Sequence, residues 1–164
     1  MSTLDRMLSK VKNWEEAKEV RKSWKTASEK VVFTNGCFDL LHYGHLHYLA
    51  QARDLGDRLI IGLNSDASVS RLKGNHRPIK DQNSRQMQLA ALEFVDLVVE
   101  FEQDTPLELI QLLQPDVLVK GGDYQMETIV GHKVVLEQGG SVQTLSFIDG
   151  YSTTAFEQKI KASK

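Results

Sequence analysis

Five short apolar runs, each rich in β-branched residues and each followed by turn residues and a helical pattern, most restrict what this chain can fold into: Val31 to Phe33, Arg58 to Leu63, Leu97 to Phe101, Asp116 to Lys120 and Val142 to Leu145. Between them lie helical periods. Leu46, Leu49 and Ala50 mark one from Gly44 to Leu55, with Gly56 as its stop. Asn64-Ser65-Asp66 caps another, a third runs from about Ser84 to Leu92, and a fourth starts near Thr105-Pro106. A fifth ends before Gly139-Gly140, and a last one spans about Ser152 to Ile160. Strands that alternate with helices require right-handed crossovers, and these build a parallel sheet covered on both faces. The expected fold is therefore α/β, a doubly wound sandwich on a mainly parallel five-stranded sheet. No linker or repeat interrupts residues 30–164, which read as one domain. Residues 1–29 read as an N-terminal helical extension carrying Trp14, Ala17, Val20 and Trp24 at helical spacing.

Such sheets bind ligands at the carboxyl ends of their strands, so the chemistry belongs in the loops after Phe33, Leu63, Lys120 and Leu145. The first of these reads Thr34-Asn35-Gly36-Cys37-Phe38-Asp39-Leu40-Leu41-His42-Tyr43-Gly44-His45 and leads straight into a helix. A helix N-terminus presents unpaired N–H groups and about half a positive charge, which attracts phosphate before any side chain contributes. His42 and His45 add directed donors, a nearby phosphate favours their imidazolium forms, and Gly44 removes a Cβ that would block close approach. A zinc site with His47 lacks a companion Cys pair or HExxH pattern. Cys37 has no evident base beside it, so packing is the better reading.

A second helix start, Asp149-Gly150-Tyr151-Ser152-Thr153-Thr154, clusters hydroxyls, which taken alone would be an ordinary N-cap. Val119-Lys120-Gly121-Gly122-Asp123-Tyr124 ends a strand in two glycines and an acid, and Asp123 could accept from sugar hydroxyls or merely brace the turn. From Leu72 to Ile79 the chain looks like an exposed basic loop. Around Gly74, Lys73 and Arg77 suit phosphate, whereas Arg71 reads as a solvated charge.

Twenty Lys and Arg against 22 Asp and Glu give a net charge of -2, which supplies no global field for a nucleic-acid backbone or an anionic membrane. A single cysteine excludes an internal disulfide framework and fits a reducing, cytoplasmic setting. Neither a signal peptide nor a membrane-spanning run is present, and neither Walker A nor GxGxxG occurs.

These motifs resemble the cytidylyltransferase-like superfamily of Rossmann-like nucleotidyltransferases, whose HxGH signature stands here as His42-Tyr43-Gly44-His45 and whose late Ser-Thr motif stands as Ser152-Thr153-Thr154. The resemblance runs from about Lys30 to Ile160. Phe33 to His42, Asn64 to Ser68, Arg71 to Gly74 with Arg77-Pro78, and Val119 to Tyr124 match most sharply the adenylyltransferases of ADP-heptose synthesis, which stand alone or end a bifunctional kinase/adenylyltransferase. The resemblance implies transfer of AMP from ATP to D-glycero-D-manno-heptose 1-phosphate, giving ADP-heptose and pyrophosphate for lipopolysaccharide or a related glycan. It implies that Thr34, Asn35, Gly36, Cys37 and Phe38 wrap the triphosphate, with Gly44 beneath it, and that His42, His45 and Lys73 stabilise the transition state. Asp123 would hold the nucleoside, Ser152, Thr153 and Thr154 the distal phosphates, and Asp39, Arg77 and Arg85 the acceptor. Magnesium would arrive with the triphosphate and no protein metal site is needed. A homodimer, with Trp14 or Trp24 at its interface or simply in the core, and a separate upstream sugar kinase complete the implied setting.

Glycerol-phosphate cytidylyltransferases carry an RTEGIST segment where this chain has Phe147-Ile148-Asp149-Gly150-Tyr151-Ser152-Thr153, without the arginine. That departure weakens the CTP alternative and leaves Lys73 or Arg77 as the cationic stabiliser. A non-catalytic nucleotide-binding module is the other alternative.

Overall fold

The computed structural model describes residues 1–163. Its elements in chain order are α1 (Thr3–Lys10), β1 (Val11–Lys12), α2 (Trp14–Thr26), β2 (Val31–Gly36), α3 (Tyr43–Arg53), β3 (Arg58–Asn64), α4 (Asp66–Lys73), α5 (Gln82–Ala90), β4 (Leu97–Phe101), α6 (Leu107–Leu113), β5 (Val117–Gly121), α7 (His132–Glu137), β6 (Ser141–Leu145) and α8 (Thr153–Ala162). Short polar side chains start many of the helices. Ser2 with Asp5 and Asn13 with Glu16 form reciprocal capping boxes, and Ser65, Asp81 and Ser152 each accept the N–H three residues on.

All strands run parallel, in the order β1-β4-β3-β2-β5-β6. The sheet therefore has six strands rather than the five expected. The extra one, β1, pairs Val11 with Val98 and Lys12 with Val99 along the edge. Two residues are too few to carry an alternation, which is why the segment before Lys30 reads as purely helical. Trp14 and Trp24 lie partly buried against the core, and the Trp14 indole donates to the Glu100 carbonyl at 2.7 Å.

Successive strand residues face opposite layers. Val31, Phe33 and Ile60 pack with Ala17, Leu109, Ile110 and Leu113 on one side, and Val32, Leu59 and Ile61 pack with Leu49, Ala52 and Leu89 on the other. With both faces covered, the strands read as continuous apolar runs. The order of connection reverses at β2, which has β3 on one side and β5 on the other. There β2 pairs with β5 only through Val32 and Phe33, so the carboxyl-terminal residues of the two strands are not paired with each other and a crevice can open between them.

Among the described residues, no helix is long and apolar enough to cross a membrane.

Candidate active site

At that crevice β2 ends in Asn35-Gly36 and β5 in Lys120-Gly121. A cleft of about 200 Å³ opens between them, lined by Asn35 to Asp39, His45, Tyr48, Lys73, Lys120, Gly121, Tyr124, Phe147 and Thr153. Two larger compartments adjoin it. One, about 450 Å³, is walled by His42, His45 and Phe147 to Thr153 with Ala155. The other, about 520 Å³, shares Asn35, Gly36, Cys37, Lys73, Lys120 and Tyr124 with the central cleft and continues past Asn64, Asp104, Thr105 and Thr128. A further concavity, about 610 Å³, lies at the opposite end of the sheet around Arg21, Lys30 and Asp116 and contains none of the motif residues.

The loop after β2 is shaped by two departures from ordinary backbone and packing. Phe38 takes φ 45°, the left-handed region that a bulky residue occupies only when its surroundings hold it there. Its ring lies under Gly36, where a Cβ would come within 2.9 Å of it, and meets the His45 ring edge-on at 5.5 Å. His42 is the N-cap residue of α3, yet its side chain makes no capping bond. Instead the His42 and His45 rings stack at 3.8 Å, with Phe156 of α8 against His42 at 5.9 Å. Among the described residues, Nδ1 of both His42 and His45 is buried without a hydrogen-bond partner. Burial lowers the pKa of His42, and burial, then His42, then Lys73 bring His45 down to about 4. Without ligand, therefore, both rings are neutral at pH 7, and the imidazolium expected from the sequence requires an anion to arrive.

Ser152 caps α8 through its own hydroxyl, which accepts from the Ala155 amide at 3.0 Å, and Thr153 opens that helix. Ser152 and Thr153 line the same compartment as His42 and His45, whereas Thr154 is not part of its wall. Asp123 is exposed and outside the three compartments, Tyr124 taking the position beside Lys120. Thr34 is fully buried behind the loop, with its hydroxyl paired to Tyr48, whose own hydroxyl reaches the Val119 carbonyl at 3.4 Å. Gly44 is buried where a Cβ would sit 3.0 Å from the His42 ring and 3.2 Å from Tyr151. Cys37 is half-buried in the cleft wall, and burial pushes its thiol pKa up, against the pull of Lys73 and Arg85.

The three residues expected on the acceptor are turned into the protein. Asp39, 2% exposed, receives the Arg77 guanidinium at 2.6 Å and the amides of Ile79 and Lys80 at 2.8 Å. Burial opposes its ionisation, but those two amides and Arg77 outweigh it and hold the carboxyl below the usual range. Arg77 also reaches Glu157 of α8 at 2.8 Å. Arg85, with no exposure at all, donates to the carbonyls of Cys37 and Asn64 at 2.8 Å, to that of Lys80 at 3.1 Å and to Asp66 at 2.6 Å. These side chains stitch the loop after β2 to the 77–80 segment and to the start of α4. Arg71 is held by Asp104 at 3.0 Å, and Leu72 and Lys73, expected in the basic loop, instead end α4, so that Lys73 comes to the cleft from the last turn of a helix.

Lys120 was not picked out by its sequence, yet it lines two of the three compartments. The signal that could have found it is its place as a cation at the carboxyl end of an otherwise apolar strand, beside the switch point.

A parallel sheet with a helix N-terminus and two histidines at its switch point defines a doubly wound α/β domain with its cleft at the carboxyl ends of the strands. The chain belongs to the cytidylyltransferase-like family, whose profile matches residues 33–159. It is 56% identical over 155 residues to the bifunctional protein HldE of Magnetococcus marinus, covering 94% of this chain and 32% of that protein. It is also 54% identical over 153 residues to the bifunctional protein HldE of Geotalea uraniireducens, covering 93% and 31%. The chain thus spans about a third of the length of the curated relatives it matches. Among solved structures, a lipopolysaccharide core biosynthesis protein from Thermoplasma volcanium aligns with TM-score 0.59 at 28% identity, over 76% of this chain and 99% of that one. Pantoate-beta-alanine ligase from Francisella tularensis, solved with beta-gamma ATP and beta-alanine, aligns with TM-score 0.57 at 14% identity, over 92% and 76%, and so shares the fold.

Proposed function

We propose that this domain is an adenylyltransferase that transfers AMP from ATP to a heptose 1-phosphate, D-glycero-D-manno-heptose 1-phosphate, and releases pyrophosphate. One observation carries the proposal: His42 and His45, from the first loop, and Ser152 and Thr153, from the last helix, wall one compartment although they lie far apart in sequence. A triphosphate in that compartment meets two histidines and the N-terminus of α8, all able to donate and none neutralised by an acid. The choice of sugar and of ATP over CTP draws on the strong identity to the HldE proteins and on the missing arginine before Ser152.

The acceptor's phosphate oxygen forms a bond to the α-phosphorus of ATP while the bond from that phosphorus to the α,β-bridging oxygen breaks, and pyrophosphate leaves with the electron pair. The attacking oxygen is ionised at neutral pH, so no base is needed, and catalysis reduces to alignment and charge stabilisation. His42 and His45 stabilise charge on the departing side, and Lys73 neutralises the phosphates from the end of α4. Magnesium, if it arrives on the triphosphate, would neutralise charge on the leaving pyrophosphate. Asp39, the carboxylate in the cleft loop, is taken up by Arg77 and two amides, which leaves the ion to the phosphates. The same proposal includes a cytoplasmic homodimer and a separate sugar kinase that supplies the acceptor.

The test is pyrophosphate release over ATP and CTP crossed with heptose 1-phosphate and glycerol 3-phosphate. Turnover is expected with ATP and heptose 1-phosphate. Activity confined to CTP and glycerol 3-phosphate would overturn the assignment, and ATP binding without turnover on any acceptor would favour a nucleotide-binding module.

A further inference from the structure

The cations around the cleft fall into two groups. Arg71, Arg77 and Arg85 are each neutralised by a carboxylate within the fold. Lys73 and Lys120 have no such partner among the described residues. The Lys120 ammonium instead lies over the Tyr124 ring, 5.7 Å from its centroid, and burial lowers its pKa, with Cys37 pulling weakly the other way. A half-desolvated ammonium without an anion destabilises a folded protein, so its presence at a cleft wall calls for an anion that arrives from outside.

Which anion follows from position. Lys120 lines both the central cleft and the 520 Å³ compartment, and in each it shares the wall with Lys73, Asn35, Gly36 and Cys37. The compartment walled by His42 and Ser152 includes neither lysine. Beyond the two lysines the larger compartment sets Asn64, Asp104, Thr105 and Thr128, side chains able to bind hydroxyl groups, beside apolar Leu72, Pro106, Ile129 and Val130.

We propose that Lys120 binds the phosphate of the acceptor, opposite Lys73, and restricts the acceptor to phosphate monoesters with a polyhydroxylated remainder. This rests on the adenylyltransferase reading above and deepens it. Two phosphoryl groups must come into contact for in-line attack, and an ammonium on the attacking group offsets their repulsion without drawing the oxygen away from phosphorus.

Lys120→Met keeps the stem that packs on Tyr124 and removes the charge. In the full chain, the acceptor KM should rise about ten- to a hundredfold, the worth of one charge-assisted hydrogen bond, while ATP affinity stays within about threefold. Lys120→Arg should recover part of the loss. The ligand-free Tm of Lys120→Met should hold or rise, because an unpaired ammonium has been removed from a partly dry site. Inorganic phosphate titrated onto protein saturated with a non-hydrolysable ATP analogue reads the same contact without turnover, and its affinity should fall in parallel. Should the wild type bind phosphate this way but fail to turn over heptose 1-phosphate, the substrate assignment falls and the role of Lys120 stands. Unchanged phosphate affinity in Lys120→Met overturns that role, as does an equal loss of ATP affinity.

Discussion

Replacing Arg85 by alanine tests whether this side chain builds the cleft or touches what enters it. The wild-type guanidinium is fully buried and has four acceptors: the carbonyls of Cys37, Asn64 and Lys80 and the carboxylate of Asp66. Truncation leaves the buried Asn64 carbonyl without its donor at about 1–3 kcal/mol and the part-buried Cys37 carbonyl at less, and it opens a cavity that adds to both. Asp66 adds little, because its side chain is 44% exposed and water can replace its partner. The sum, about 4 kcal/mol, is a large part of the roughly 5–15 kcal/mol that holds a domain folded. Urea denaturation followed by circular dichroism measures it. Arg85→Lys, which keeps the charge but reaches fewer acceptors, should cost about half as much and should lower kcat through a loosened loop after β2, with both substrates' KM values moving together. A stable Arg85→Lys protein with only the acceptor KM raised would refute this reasoning and return Arg85 to the substrate.

The folded-state pKa of His45 lies at about 4 against 6.5 unfolded, so the unfolded chain binds more protons between those values and stability falls as pH drops from about 6.5 towards 4. Discounted for the ring's partial exposure, the loss is about 1–2 kcal/mol, and denaturation midpoints for His45→Asn should be flatter over this window; equal slopes would contradict the shift. Gly44→Ala puts a methyl 3.0 Å from the His42 ring inside α3, so kcat should fall about tenfold or more while helix propensity keeps the change in stability below about 1 kcal/mol, as steady-state kinetics and thermal melts will show. Tyr48→Phe leaves the buried Thr34 hydroxyl without its partner and should cost about 1–2 kcal/mol with ATP KM unchanged; a raised ATP KM would put Thr34 on the phosphates instead.

Much of the fold is legible because apolar strands covered on both faces leave unbroken β-branched runs, and the switch-point rule then locates the cleft before any coordinates are known. β1 escapes because pairing of two residues depends on the exposed edge of β4, a tertiary fact with no local signature. Within the cleft, residue type alone cannot separate a cation that binds ligand from one that binds protein. Arg77 and Arg85 follow the phosphate loop in sequence just as Lys73 does, but Asp39, Asp66 and three backbone carbonyls wait for them in the folded chain. The division has a chemical basis: a guanidinium spreads several donors over a rigid fork and suits simultaneous carbonyl and carboxylate acceptors, whereas an ammonium on a flexible stem suits a single charge that comes and goes. In this cleft the arginines fix the frame that aims the loop after β2, and Lys73 and Lys120, without acid partners among the described residues, are the cations our proposal places on phosphate for the length of a turnover.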